Sequence, residues 1–430
     1  VTPSARLAAA AEILDEITRS RHLPEIVLKQ WGVSHRFAGS KDRRAIADRV
    51  YQVLRNKARL SYIMNNDSGR SLVIGALHLM DGLNLQAIHN LYSGLAYSPK
   101  QLSDEEISRL QTDNGENLPE WIRHGVPSFI IEDLKEAYPD DWAEELKALM
   151  QPRAPIDIRV KSDRVELAKG LEICGYNVSY TPFSSKGLRI KSDPPPNIRA
   201  LPAFGSGEFE IQDEGSQILG FLLGARPGDT ILDYCAGGGG KTLAILQSME
   251  GRGRVIASDI DQTRLNNIKP RLKRAHWDAE LRLLGGNGEG LEDIQGLMDR
   301  VMVDAPCSGT GVLRRHPETA SQITQEEVEK LHETQKRIIH NASNCIRIGG
   351  LLAYATCSVL KRENEDVTED FLLTHRGFKP FPITDALEDR FFSPEASHKL
   401  SELAKSHQLR LSPHKTQTDG FYIALFRRMD

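Results

Sequence analysis

Ile231-Leu232-Asp233-Tyr234-Cys235-Ala236-Gly237-Gly238-Gly239-Gly240-Lys241-Thr242 reads as a strand that runs into a glycine loop and then into a helix. Glycines let a backbone pass close to a ligand. Four successive glycines also weaken a helix start, so a bare turn with no ligand explains them poorly. Two phosphate-binding spacings fail here. A Walker loop needs a glycine where Cys235 stands, and the pattern G-x-G-x-x-G breaks at Thr242 in one register and at Leu243 in the other. About twenty residues past the glycines, a second strand candidate ends in Asp259, where a carboxylate can accept hydrogen bonds from both hydroxyls of a ribose.

A ribose acid serves nicotinamide enzymes and methyltransferases alike, so loop and acid together specify a nucleoside cofactor and not a reaction; S-adenosylmethionine, which has no pyrophosphate, needs neither phosphate spacing. Around this loop the rhythm is strand, loop, helix, repeated after Gly205. Strands are expected at Thr230 to Asp233, Val255 to Asp259, Val301 to Asp304, Leu351 to Thr356 and Phe421 to Phe426, and helices at Lys241 to Met249, Gln262 to Ala275, Gln325 to Cys345 and Glu363 to Leu373. Such alternation predicts a doubly wound, mostly parallel Rossmann-like α/β sheet over residues 206–430. Before it, Ile156 to Val160, Asn177 to Tyr180 and Leu188 to Ile190 flank a helical Val165 to Cys174, which suggests a small α+β module over residues 150–205. Asp193-Pro194-Pro195-Pro196 breaks any regular element there. Residues 1–149 show helical periodicity at Leu7 to Ile17, Ala45 to Leu60, Leu72 to Met80, Leu85 to Leu95 and Trp142 to Met150, with a polar loop expected at Gln111 to Glu120.

A chain of 430 residues is long enough for two or three such domains. Its most apolar stretch free of charge, Gly215 to Ala225, is far short of the roughly 20 residues of a membrane helix, so no membrane association is expected. The N-terminal helix carries Glu12, Asp15 and Glu16 within its apolar pattern, unlike a secretory signal, and the expected compartment is the cytoplasm. A net charge of −4 means that any nucleic-acid surface must be local. Basic residues do cluster, at Arg43, Arg44, Arg49, Arg55, Lys57 and Arg59, at Arg264, Lys269, Arg271, Lys273 and Arg274, and at Arg314-Arg315-His316. Each run could equally be a solvated helix face.

The five cysteines, Cys174, Cys235, Cys307, Cys345 and Cys357, include no Cys-x-x-Cys pair, so neither a disulfide framework nor a metal site is expected. Cys174 and Cys345 lie on apolar helical faces and read as small buried hydrophobes, a reading that also suits Cys235. Cys307 and Cys357 differ. The third strand ends in Asp304-Ala305-Pro306-Cys307-Ser308-Gly309-Thr310-Gly311 and the fourth in Tyr354-Ala355-Thr356-Cys357-Ser358. Strand C-termini line the ligand crevice of an open α/β sheet, so both thiols should meet there and perform covalent chemistry.

These motifs, with Phe209 to Asp213 upstream, Glu363-Asn364 downstream and Thr418-Asp419-Gly420-Phe421-Tyr422 at the end, occur in the order found in bacterial rRNA cytosine-5 methyltransferases of the Fmu/Sun type, which the chain resembles from Arg153 to Asp430. Residues 1–149 resemble more faintly that family's NusB-type RNA-binding domain, through Asp42-Arg43 and Val50 to Arg55. The resemblance implies a class I methyltransferase sheet that takes S-adenosylmethionine, acts on RNA, most often rRNA, and needs no metal or second copy. It assigns catalysis to Cys357 as nucleophile, Cys307 as the group that assists release, and Asp304 beside the base. It assigns the cofactor to Cys235, Ala236, Gly237, Gly238, Gly239, Gly240, Lys241, Asp259, Asn287 and Asp304. Chemistry alone permits the two cysteines to exchange roles.

The sequence departs from the family where Gly237-Gly238 replaces Ala-Pro, where Gly286-Asn287-Gly288 replaces Gly-Asp-Gly, and at Glu318-Thr319-Ala320. A tRNA substrate, an inactive RNA-binding assembly factor and a nicotinamide-dependent oxidoreductase are the competing readings.

Overall fold

The computed structural model describes residues 1–112, 118–151, 154–191 and 196–430. Residues 113–117 of the expected polar loop, and Asp193-Pro194-Pro195, lie outside the described residues. The chain divides into two compact units, Val1–Pro152 with Leu313–Thr324, and Arg153–Val312 with Gln325–Asp430.

The first unit is helical. Its opening helix, Pro3–Ser20, starts with Thr2 accepting the Ala5 N–H at 3.2 Å and Pro3 in the first turn, where a missing N–H does no harm. It buries Leu7, Ala10, Ile13, Leu14 and Ile17 against Ile46, Val50 and Val53 of Ser40–Arg55 and against Gly69–Leu79. The helix expected over Ala45 to Leu60 is two helices, Ser40–Arg55 and Lys57–Met64. Asn56 breaks it by turning its side-chain amide back onto the Gln52 carbonyl at 2.9 Å. Periodicity missed Pro24–Ser34, Asp104–Gln111 and Ser128–Ala137, which are short.

Most of the first basic run serves this unit's own packing. Arg43 donates to the Ala38 carbonyl at 2.8 Å, Arg49 pairs with Asp81, and Arg55 donates to the Arg314 carbonyl at 3.3 Å. Arg314 is itself buried, so the Arg314-Arg315-His316 run is in part an internal strap.

The second unit holds two sheets. The smaller is antiparallel, in the order β2 (Val178–Tyr180), β3 (Gly187–Ile190), β1 (Ile156–Val160), β4 (Phe209–Ile211), and packs Ile158, Leu188, Ile190 and Phe209 against Leu167 and Leu171 of helix Arg164–Ile173. Buried Arg189 grips Asp157 through two bonds of 2.7 Å, and Asp157 also accepts the Glu214 N–H at 3.1 Å. That carboxylate therefore ties the small sheet to helix Glu214–Leu222 of the same unit.

The large sheet comprises β5 (Thr230–Asp233), β6 (Arg254–Asp259), β7 (Glu280–Leu283), β8 (Met298–Asp304), β9 (Ile346–Thr356), β10 (Phe378–Pro380), β11 (Gln408–Leu411) and β12 (Phe421–Arg428). The order is β10-β12-β9-β8-β5-β6-β7, with β11 beside β12. Strands β5 to β9 are parallel, and β12 runs antiparallel to β9, β10 and β11. The doubly wound expectation is met. Apolar runs such as Val301-Met302-Val303 and Leu351 to Ala355 are buried, as strands covered on both faces require. The helix expected over Gln262 to Ala275 is interrupted at Asn267, and Pro270 falls in the first turn of Ile268–Ala275, where it is tolerated. Because strand order reverses at β5, the crevice opens between the C-terminal ends of β5 and β8.

Candidate active site

The glycine loop leaves β5 at this switch point. Gly237 and Gly239 have φ of 53° and 79°, left-handed values that suit glycine, and Gly239 caps helix Gly240–Ser248. A Cβ on Gly237 would lie 2.5 Å from Arg264, whose guanidinium covers the loop. The Gly237 N–H donates to Asp259 at 2.9 Å, and the other Asp259 oxygen accepts the Asp261 N–H at 2.9 Å. The acid at the end of β6 is thus fixed in place by two backbone donors.

Asp233 ends β5 just before the glycine loop, a position to which the sequence assigns no role. It is fully buried, one oxygen accepts from Thr242 at 2.6 Å, and its other oxygen has no partner among the described residues. Burial lifts its carboxyl to about 7, and the charges of Asp304 and Asp259 push the same way. Lys241 reaches across the crevice to Asp304 at 2.6 Å. Burial alone would lower the lysine's pKa, but attraction to Asp304, its hydrogen bond, and nearby Cys357 and Asp233 raise it overall.

The sulfur atoms of Cys307 and Cys357 are 3.3 Å apart. Pairing of Asp304 with Ala355 sets the ends of β8 and β9 level, and the Gly311 N–H holds the Cys357 carbonyl at 2.9 Å. The bond to Cys357, then burial, then the charges of Cys357 and Glu363 push the Cys307 thiol well above its ordinary value. An anion on Cys307 is therefore disfavoured. The thiols, the Lys241–Asp304 pair and the glycine loop occupy one crevice.

The charge of this crevice tests the cofactor. Asp233, Asp259 and Asp304 act electrostatically on one another and on Cys235, with Lys241 as the buried cation among them. Arg264, 3.8 Å from Asp259, adds a second cation over the loop. The carboxylates of the crevice suit S-adenosylmethionine, whose sulfonium and α-ammonium are both cationic. The orphaned Asp233 oxygen is an acceptor still in need of a donor. The residues present fit this cofactor.

Other expected residues stand apart. Asn287 is exposed and its side-chain amide donates to Glu289 at 3.0 Å within its own loop, while its carbonyl accepts from Asn341 at 2.6 Å. Cys345 is buried, as expected of a small hydrophobe. Cys174 is exposed, contrary to expectation, because its helix ends at Ile173 and Gly175, at φ 85°, turns the chain away from the face that buries Leu167 and Leu171. Cys235 is half-buried against the core of the large sheet. Arg264, expected as part of a basic run, covers the glycine loop instead, and Glu363, expected only as part of a family motif, lies behind both cysteines. Among the described residues no cluster could hold a metal, and no helix is long and apolar enough to cross a membrane.

Residues 220–427 match the family model described as 16S rRNA methyltransferase RsmB/F. The ribosomal RNA small subunit methyltransferase B of Pseudomonas syringae pv. tomato is 31% identical over 307 residues, covering 70% of this chain and 66% of that protein. A probable ribosomal RNA small subunit methyltransferase B of Coxiella burnetii is 32% identical, covering 70% and 68%. The chain thus spans about two thirds of the length of these curated relatives. In fold it is similar to the crystal structure of PH0851, with a TM-score of 0.79, 22% identity and coverage of 100% and 99%. NSun6 from Pyrococcus horikoshii with SFG follows at a TM-score of 0.59, 21% identity and coverage of 71% and 98%. The chain belongs to the RsmB/F family of S-adenosylmethionine-dependent ribosomal RNA methyltransferases.

Proposed function

We propose that this chain methylates carbon 5 of a cytosine in the RNA of the small ribosomal subunit, through a covalent bond between Cys357 and carbon 6. The observation that carries this reading is the pair of thiols 3.3 Å apart beside the Lys241–Asp304 ion pair. The relatives named small-subunit rRNA methyltransferases support the choice of RNA.

Carbon 5 of cytosine is too weak a nucleophile to attack a methyl group unaided. The Cys357 thiolate adds to carbon 6, forming the S–C6 bond and moving the C5–C6 electron pair onto carbon 5. Asp304, a third exposed and anchored by Lys241, faces the nitrogen edge of the ring and steadies the adduct there. Bound S-adenosylmethionine supplies an electrophilic methyl on a sulfonium. Once carbon 5 has taken up that methyl, its proton passes to a base or a water molecule, the C–H electron pair restores the C5–C6 double bond, and Cys357 departs as thiolate. Cys307 assists this last step. Approach to the ring face requires a flipped or unpaired cytosine. We assign recognition of the RNA beyond that base to the helical residues 1–149, and cofactor contacts to Cys235 through Lys241, Asp259 and Asp304, with Asn287 on the adenine side.

An RNA carrying 5-fluorocytosine tests this, because fluorine at carbon 5 cannot leave as a proton does and the adduct persists. The wild-type chain should give a denaturation-resistant complex that Cys357→Ser does not form. An adduct that persisted in Cys357→Ser would overturn the assignment, and unchanged bisulfite reads of small-subunit rRNA in cells lacking the gene would overturn the substrate.

A further inference from the structure

Glu363 ends the short 3-10 turn Lys361–Glu363 and is fully buried. One of its oxygens accepts the Ser308 N–H at 2.8 Å and the Gln335 side-chain amide at 3.0 Å. The other accepts the hydroxyls of Ser308 and Ser358, each at 2.5 Å. Ser308 and Ser358 directly follow Cys307 and Cys357. A single carboxylate is therefore bonded to both cysteine loops at once.

Its neighbour Asn364 adds to the clamp on one side. The Asn364 side chain accepts from Thr356 at 2.6 Å and donates to the Ser358 carbonyl at 3.0 Å, so the residues before and after Cys357 are both fixed. All four donors to Glu363 are neutral groups. A carboxylate buried with no cation paired to it among the described residues costs desolvation that a neutral side chain would avoid, which argues for a use beyond packing.

We propose that Glu363 is a positioning residue: its carboxylate locks the Cys307 and Cys357 loops to each other and so sets the distance between the two thiols. Its charge also opposes an anion on Cys307, which keeps the proton on that partner. The consequence for catalysis rests on the cysteine-adduct reading above, whereas the spacing of the thiols can be measured without RNA or cofactor.

The test uses the full chain with Glu363→Gln and Glu363→Asp, the first removing charge and the second shortening reach. Diamide oxidises two adjacent thiols to a disulfide and is itself reduced to the hydrazine, so the rate of Cys307–Cys357 closure reports their spacing. Closure should slow about tenfold or more in both variants. The kcat for RNA methylation should fall by about tenfold to a hundredfold, with the KM for S-adenosylmethionine changed less than about twofold. In a Cys357→Ser background, the pH midpoint for iodoacetamide labelling of Cys307, read by peptide mass, should move down in Glu363→Gln. A merely structural role would leave that midpoint in place. Closure rates and midpoint both within about twofold, or about 0.3 pH units, of the parent chains would overturn the proposal. So would losses that only follow the unfolded fraction seen by thermal melting. If closure slows while the wild-type chain forms no adduct with 5-fluorocytosine RNA, the adduct reading fails and the clamp stands.

Discussion

The ammonium of Lys241 lies 2.6 Å from Asp304, joining the first turn after the glycine loop to the end of the strand that leads into Cys307. The lysine is buried and the aspartate a third exposed, so the pair is anchored on one side and open to the crevice on the other. Removing the cation leaves Asp304 without its ion-pair partner, near the buried Asp233. Lys241→Met should slow methyl transfer by about 10²- to 10³-fold and lower stability by roughly 2 kcal/mol, less than a fully enclosed pair because Asp304 is partly solvated. The sign with pH follows from a raised lysine pKa. Its stabilisation is full below the unfolded value of about 10.4 and disappears only above the folded one, so the urea midpoints of the two proteins should differ by a constant amount from neutral pH upward and converge above that range. Equal midpoints at neutral pH would refute this account.

Asp233 should show the opposite arrangement. Its carboxyl titrates at about 7 when folded, chiefly through burial, and near 3.9 when unfolded. Between those values the folded chain holds a proton that the unfolded chain has lost. The contribution of Asp233 is therefore complete below about pH 4 and is lost as pH rises through 7. Asp233→Asn imitates the protonated form, so it should gain stability relative to wild type across that window in thermal melts. Cofactor binding should run the other way. Calorimetry should find wild-type affinity for S-adenosylmethionine rising from about pH 6 to about pH 7.5, as the ionised carboxylate becomes available to a cationic ligand, and the variant weaker and flat. A variant that binds as tightly as wild type at the upper pH would exclude Asp233 from the cofactor site.

Cys307 lies 3.3 Å from Cys357, within reach of the adduct when it must come apart. With Cys307→Ala, addition to carbon 6 remains possible and release does not. The expected result is a covalent enzyme–RNA complex on ordinary cytosine RNA, resistant to denaturing electrophoresis, with turnover reduced by about 10²-fold or more. Free turnover without such a complex would show that Cys307 has no part in release.

The sequence made some of this legible and hid the rest for physical reasons. Strands β5, β6, β8 and β9 are apolar runs that end in marked residues, Asp233, Asp259, Asp304 and Thr356-Cys357, so both their existence and their ends could be read. Strand β7 could not, because Glu280 and Arg282 give an edge strand the look of a charged loop. The breaks at Asn56 and Asn267 are matters of one or two dihedrals within patterns that remain periodic. In the site, the convergence of Cys307 and Cys357 followed from where strand ends lie. Glu363 did not, because its partners come from positions 308, 335 and 358 and meet only once the strands are ordered. Asp233 likewise looked like a strand-end acid until burial left one of its oxygens alone.

Gly311 closes the Asp304 to Gly311 motif at the point where three chain segments touch. Its N–H holds the Cys357 carbonyl at 2.9 Å, and its own carbonyl accepts the Gly420 N–H at 2.7 Å. A Cβ at this position would stand 2.1 Å from the Gly420 oxygen and 2.7 Å from the Cys357 oxygen, both backbone atoms with no flexible end to yield. Gly311→Ala must therefore push the Cys357 loop and the start of β12 away from the Cys307 loop. The expected loss is about 3 kcal/mol of stability, seen in urea unfolding, because overpacking against backbone cannot be relieved by a rotamer change. Activity should fall further than the folded fraction accounts for, since moving either thiol by a fraction of an ångström disturbs the geometry for attack on carbon 6. Val359 packs near Gly420, where a Cβ would meet it at 2.6 Å, so Gly420→Ala presses on a side chain as well as on the Gly311 backbone and offers a graded comparison. If Gly311→Ala kept both its urea midpoint and its turnover, the close approach of these three segments would not be needed to set the cysteine pair.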